Sequence, residues 1–111
     1  MGKQLNFEYK NKEYTLEYTR ESVKQMEREG FVANDIVDKP MSTLPKLFAG
    51  AFKAHHRFDV KQKQIDEIFE LFANKQALVE KLAEMYYEPM AALMDNDNID
   101  EGNAIAWEAN F

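Results

Sequence analysis

Two histidines, His55 and His56, stand side by side, with Asp59 three residues beyond the second. Two neutral imidazoles and a carboxylate form a donor set that suits a divalent metal. Adjacent helical positions point about 100° apart, however, so both rings do not readily face one ion. The chain has no further histidine to complete the set. The pair is therefore expected to cap a helix end and line the edge of a core, with no metal bound.

An acidic run over residues 95–101, DNDNIDE, has the look of a calcium loop. An EF-hand loop needs oxygen ligands at positions 1, 3 and 5, Gly at 6 and Glu at 12. Counted from Asp95, those last three places hold Ile99, Asp100 and Ala106, so the match fails and a solvated linker is expected. Nucleophilic catalysis needs a hydroxyl or thiol beside a base. Ser22 and Ser42 have no histidine near them in sequence, and there is no cysteine. Four scattered glycines do not make a phosphate loop. These residues point away from catalysis, and no cofactor is expected.

Charge narrows the partners. Residues 95–111 carry five of the 20 acidic residues and none of the 14 basic ones. The net charge of −6 thus splits into −5 there and −1 over residues 1–94. A nearly neutral body without a basic stripe lacks the footprint of a nucleic-acid or membrane-surface binder. No apolar run approaches the ~20 residues of a membrane span, and no signal segment opens the chain. A cytosolic protein is expected.

The elements that must position any site begin with alternation. Leu5, Phe7 and Tyr9, then Tyr14, Leu16 and Tyr18, repeat with period 2 and read as an antiparallel hairpin. A two-residue turn at Asn11-Lys12 pairs Tyr9 with Tyr14, Phe7 with Leu16 and Leu5 with Tyr18, all on one face. Lys10 then faces Glu13. A lone hairpin is marginal in water, so helices must cover its aromatic face.

Those helices carry recognisable boundaries. Thr19 is expected to cap a short helix that buries Val23 and Met26 and ends at Gly30, with Phe31 as the apolar contact of that cap. Residues 31–41 read as a connector with one helical turn around 34–38. Ser42 or Thr43 opens the next helix, with Pro45 in its first turn. Its apolar face is Leu44, Leu47, Phe48, Ala51, Phe52 and His55, and Ala49, Gly50 and Ala51 permit a close approach. Asp59 and Gln62 suggest a capping box for a helix burying Ile65, Ile68, Phe69 and Phe72. Asn74 caps the last helix, whose apolar stripe is Leu78, Val79, Leu82, Met85, Tyr86, Met90 and Leu93, with a kink or early end at Pro89. The expected fold is α+β and mostly α: a two-stranded hairpin against about four helices. Residues 1–94 form the one domain, and residues 95–111 an acidic, mobile tail.

Met85, Met90 and Met94 lie along that last helix with Tyr86 and Tyr87. Methionine surfaces adapt to varied partners. The stripe is broader than three small neighbours cover, which leaves apolar area for another chain. The competing assignment places these residues in the core. Trp107 and Phe111 raise the same alternative at the tail: aromatic anchors for another subunit, or for the chain's own body. The candidate partner-binding residues are therefore Met85, Tyr86, Met90, Met94, Trp107 and Phe111.

The hairpin residues Phe7, Tyr9, Tyr14, Leu16, Tyr18 and Thr19, followed by a helix ending in Glu29, Gly30 and Phe31, resemble the start of the tail assembly chaperones of long-tailed, non-contractile bacteriophages. Leu47 to Phe52, with His55 and His56, is similar to the small-residue helix of that family. The likeness spans residues 5–94. It implies a non-catalytic, self-associating protein of the host bacterial cytoplasm that is not retained in the mature virion. The implied partners are the tape measure protein, which it keeps soluble, the major tail tube protein, which it helps recruit, and further copies of itself. The alternative is a small acidic phage regulatory or inhibitory protein that binds a host protein.

Overall fold

The structure, a computed structural model, describes residues 3–94, 102 and 105–111. Two residues of positive φ, Lys10 (51°) and Asn11 (65°), close a hairpin of strands β1 (Gln4–Tyr9) and β2 (Lys12–Glu17). A type I′ turn needs positive φ at both central positions. The turn therefore sits one residue earlier than expected, and the register moves with it. Phe7 pairs with Tyr14, Leu5 with Leu16 and Tyr9 with Lys12. A shift of two leaves every side chain on its face. Tyr14, Leu16 and Tyr18 are buried, and Leu5, Phe7 and Tyr9 pack against them. Lys10 lies in the turn, over the Tyr9 ring, and Glu13 faces Glu8 in place of the expected Lys10.

Helix α1 (Arg20–Arg28) starts and stops as its sequence predicts. The Thr19 hydroxyl accepts from Ser22 N, and Ser22 Oγ accepts from Thr19 N. At the other end Gly30, at φ 95°, lets Gly30 N donate to the Glu27 carbonyl and Phe31 N to the Met26 carbonyl. That paired pattern is the Schellman stop, and Phe31 and Met26 both enter the core.

After the one-turn helix α2 (Asp35–Asp38), Pro40 opens α3 (Pro40–Gly50). The start precedes the expected Ser42 or Thr43, because proline at the first helical position gives up an N–H that has no partner there. Pro45 consequently lies in the helix interior. The Met26 side chain fills the space a Cβ at Gly50 would take, so the element that makes the expected close approach there is α1.

Ala51 N and Phe52 N then donate to carbonyls three residues back, those of Phe48 and Ala49. The tightened turn separates α3 from α4 (Lys53–His56). His56 is buried and His55 exposed, the reverse of the expected face.

Helix α5 (Gln62–Leu71) begins after Lys61, whose N–H donates to Gln64 Oε1. The expected capping box at Asp59 and Gln62 does not form, because Asp59 is engaged by His56 and Lys12. Ile65 and Ile68 are buried, with Phe69 and Phe72 half-buried beside them. Asn74, at φ 52°, offers Oδ1 to Ala77 N and so caps α6 (Lys75–Met94) as expected. That helix continues through Pro89 to Met94, so of the expected kink or early end the early end does not occur.

The fold is thus α+β and mostly α, with four longer helices, two single-turn ones and the hairpin among the described residues. Its core has two aromatic neighbourhoods. Phe7 stacks on Tyr14 at 5.1 Å and meets Phe72 edge-on at 4.9 Å, with Phe48 and Phe52 behind. Tyr86 gathers Tyr18 at 5.4 Å and Phe31 at 5.3 Å. Edge-to-face pairs of this kind add to the free energy of burying the rings.

Candidate docking surface

The histidine pair is resolved by its hydrogen bonds. A backbone N–H only donates, so His56 Nε2, 3.0 Å from Thr15 N, is the unprotonated nitrogen. Its proton is on Nδ1, which donates to Asp59 Oδ2 at 3.1 Å. A His–Asp pair can serve as a general base, but here the lone pair that would take a proton is committed to the hairpin. His55 points elsewhere, to Glu17 Oε1 at 2.7 Å. Burial pushes the Glu17 carboxyl up, and hydrogen bonds from His55 and Gln4 outweigh it and hold it below the usual range. The hydrogen bond from His56, then that from Lys12, lowers Asp59 as well. Among the described residues no cluster of three metal-ligating side chains forms.

A cleft of about 320 Å³ opens between α1, α3, α4 and α5. Lys53 and Glu29 pair across its rim at 3.0 Å. Hydrogen bonds from Gln25 and then Lys53 lower the Glu29 carboxyl, so the cleft carries an ion pair at its rim.

The six candidate partner-binding residues separate into two groups. Met85 and Tyr86 are 5% and 8% exposed, and both belong to the core, against the expectation that they face a partner. The Tyr18 and Phe31 rings occupy the face of α6 on which Tyr86 lies. Met90 and Met94 are 54% and 77% exposed. With Tyr87 and Ala91, also exposed, they recur at i, i+3, i+4 and i+7 along the end of α6. Leu93 is exposed beside them. Helix α6 is therefore apolar on two sides: one side is packed against the domain, and the other is exposed. Lys3 ties the packed part of this helix to the hairpin, its Nζ 2.8 Å from Glu84 and its backbone N 2.9 Å from Glu88. Trp107 and Phe111 are exposed in a segment with neither helix nor strand. The mobile linker expected before them lies, Gly102 apart, outside the described residues.

Periodicity alone did not separate the Met85–Tyr86 side of α6 from the Met90–Met94 side, since both are apolar. Met41, Phe58 and Leu71 are further exposed apolar side chains that the sequence did not single out.

These features define a small hairpin-and-helix protein with an apolar stripe at the end of its longest helix. The chain belongs to a family described as a domain of unknown function, DUF5055, which matches residues 1–111. No curated protein and no solved structure matches it.

Proposed function

We propose that this chain is a tail assembly chaperone of a long-tailed, non-contractile bacteriophage, and that it binds the tape measure protein through the end of α6. The observation that carries the reading is the uncovered stripe of Tyr87, Met90, Ala91 and Met94. A helix with this spacing on its free side is suited to pack along another amphipathic helix. Methionine fits that role for a long client whose sequence varies along its length, because an unbranched thioether adapts to many shapes. A chaperone must also be displaced, and a surface of this kind grips without a tight lock. The resemblance of the hairpin and the first helices to that family points the same way. In this reading the chain acts in the host cytoplasm, self-associates, and yields to the major tail tube protein before the virion is complete.

Co-expression tests it. The tape measure protein, insoluble alone, is expected to be recovered soluble and bound to this chain. A tape measure protein that stays insoluble and unbound, with a host DNA-binding protein captured instead, would replace the reading with that of a small acidic inhibitor.

A further inference from the structure

The hairpin has one closed edge and one open edge. Thr15 N and Glu17 N of β2 point away from β1, to His56 Nε2 and the Ala51 carbonyl. In antiparallel pairing, residues opposite such outward groups also direct their own N–H and C=O outward. Thr15 and Glu17 lie opposite Asn6 and Gln4, so Gln4, Asn6 and Glu8 present their backbone groups along the free side of β1. The outward N–H groups of Asn6 and Glu8 have no hydrogen-bond partner among the described residues. An exposed edge of this kind is a template for another strand.

Beside this edge runs an apolar groove of about 360 Å³, lined by Phe7, Tyr9, Ile68, Leu71 and Phe72. Leu71 is 68% exposed there. An added strand would set every second side chain over this groove. One segment of this chain has the required alternation. Ile105, Trp107, Ala109 and Phe111 fall on one side of an extended chain, and Ala106, Glu108 and Asn110 on the other. In the structure these residues are neither helix nor strand, with Ile105 89% and Trp107 84% exposed.

We propose that residues 105–111 of one copy add as a third strand to β1 of a second copy, with Trp107 over the groove. A second copy is favoured because, within one chain, residues 105–111 are exposed along their length and none of them lines the groove. Reciprocal exchange fills both open edges and closes a two-fold dimer. The inference rests on the self-association part of the chaperone reading. Client binding is measured separately, so either can fail alone.

Trp107 is the sole tryptophan, so its emission reports its own burial. In purified full chain, emission is expected to shift to the blue as concentration rises, in step with a doubling of mass by light scattering. Glu8→Pro removes one outward N–H without touching the bonds to β2, as proline is tolerated on an edge strand. It is expected to raise the dimer dissociation constant at least tenfold with an unchanged circular dichroism spectrum. Should that variant not fold, deletion of residues 105–111 is expected to leave a folded monomer. Emission that stays solvent-exposed at every concentration, a blue shift independent of concentration, a folded Glu8→Pro chain that dimerises as before, or a dimer that survives the deletion would each overturn the proposal.

Discussion

The His56 ring seals one edge of the hairpin, taking the Thr15 N–H at Nε2 across 3.0 Å. Two further links fasten the same seam: Glu17 N donates to the Ala51 carbonyl, and the Tyr18 hydroxyl to the Leu47 carbonyl. That Leu47 oxygen loses its usual helical donor when Ala51 N turns back to Phe48. The strand thus satisfies the polar groups that the break between α3 and α4 sets free, as buried backbone demands. Replacing His56 with Leu leaves the Thr15 donor without its acceptor and should cost about 1–3 kcal/mol. Urea unfolding measures this; His56→Gln, which keeps an acceptor, should lose less. Equal stability of the Leu variant would show that the ring does not hold the edge.

Acid should loosen the same seam. Glu17 and Asp59 both have folded pKa values below their ordinary 4.5 and 3.8. As pH falls, the unfolded chain takes up these protons first, so the stabilisation is complete above the ordinary values and drains away as pH drops through the lowered ones. Thermal midpoints recorded from about pH 6 down to about pH 3 should fall, with Glu17→Gln flattening the slope. Glu17 is the more informative of the two because its side chain is only 14% exposed, and salt screens it less than a surface carboxylate. A slope unaltered by Glu17→Gln would place the acid response elsewhere.

The contact between Met26 and Gly50 yields a coupling. A methyl group at position 50 would occupy the space of the Met26 thioether. Gly50→Ala should therefore destabilise by about 1 kcal/mol, overpacking outweighing the gain in helix propensity. Met26→Ala alone opens a cavity and should cost about 2–5 kcal/mol. In the double variant the new methyl group meets no thioether, so the two costs should sum to more than the pair. A double-mutant cycle by urea unfolding reads this directly, and strict additivity would contradict the contact.

Much of the fold was legible because it rests on local rules. Alternation from Leu5 to Tyr18 marked the hairpin, and Thr19 and Gly30 marked both ends of α1. The register was not legible, because a shift of two keeps the same face inward; positive φ at Lys10 and Asn11 decided it. The exchange of His55 for His56 as the buried ring goes with the bond from Thr15 N to His56 Nε2, a contact between residues 41 apart that a helical period does not contain. Asp59 reads as a helix cap in sequence, yet it serves a contact with Lys12, 47 residues away. The exposed apolar stripe of α6 was half legible. Its residue types stood out, but only packing against Tyr18 and Phe31 distinguishes Tyr86, in the core, from Met90 and Met94, in solvent.

Whether the end of α6 grips a helical client is tested most directly by titrating fluorescently labelled helical fragments of the tape measure protein with this chain and with a Met90→Asp, Met94→Asp double variant. Both side chains are exposed, so the variant should fold and melt like the parent. At least tenfold weaker binding by the double variant, about 1.4 kcal/mol or more, is expected. Undiminished binding by a folded double variant, or no binding by the parent to any fragment, would contradict a docking role for this stripe.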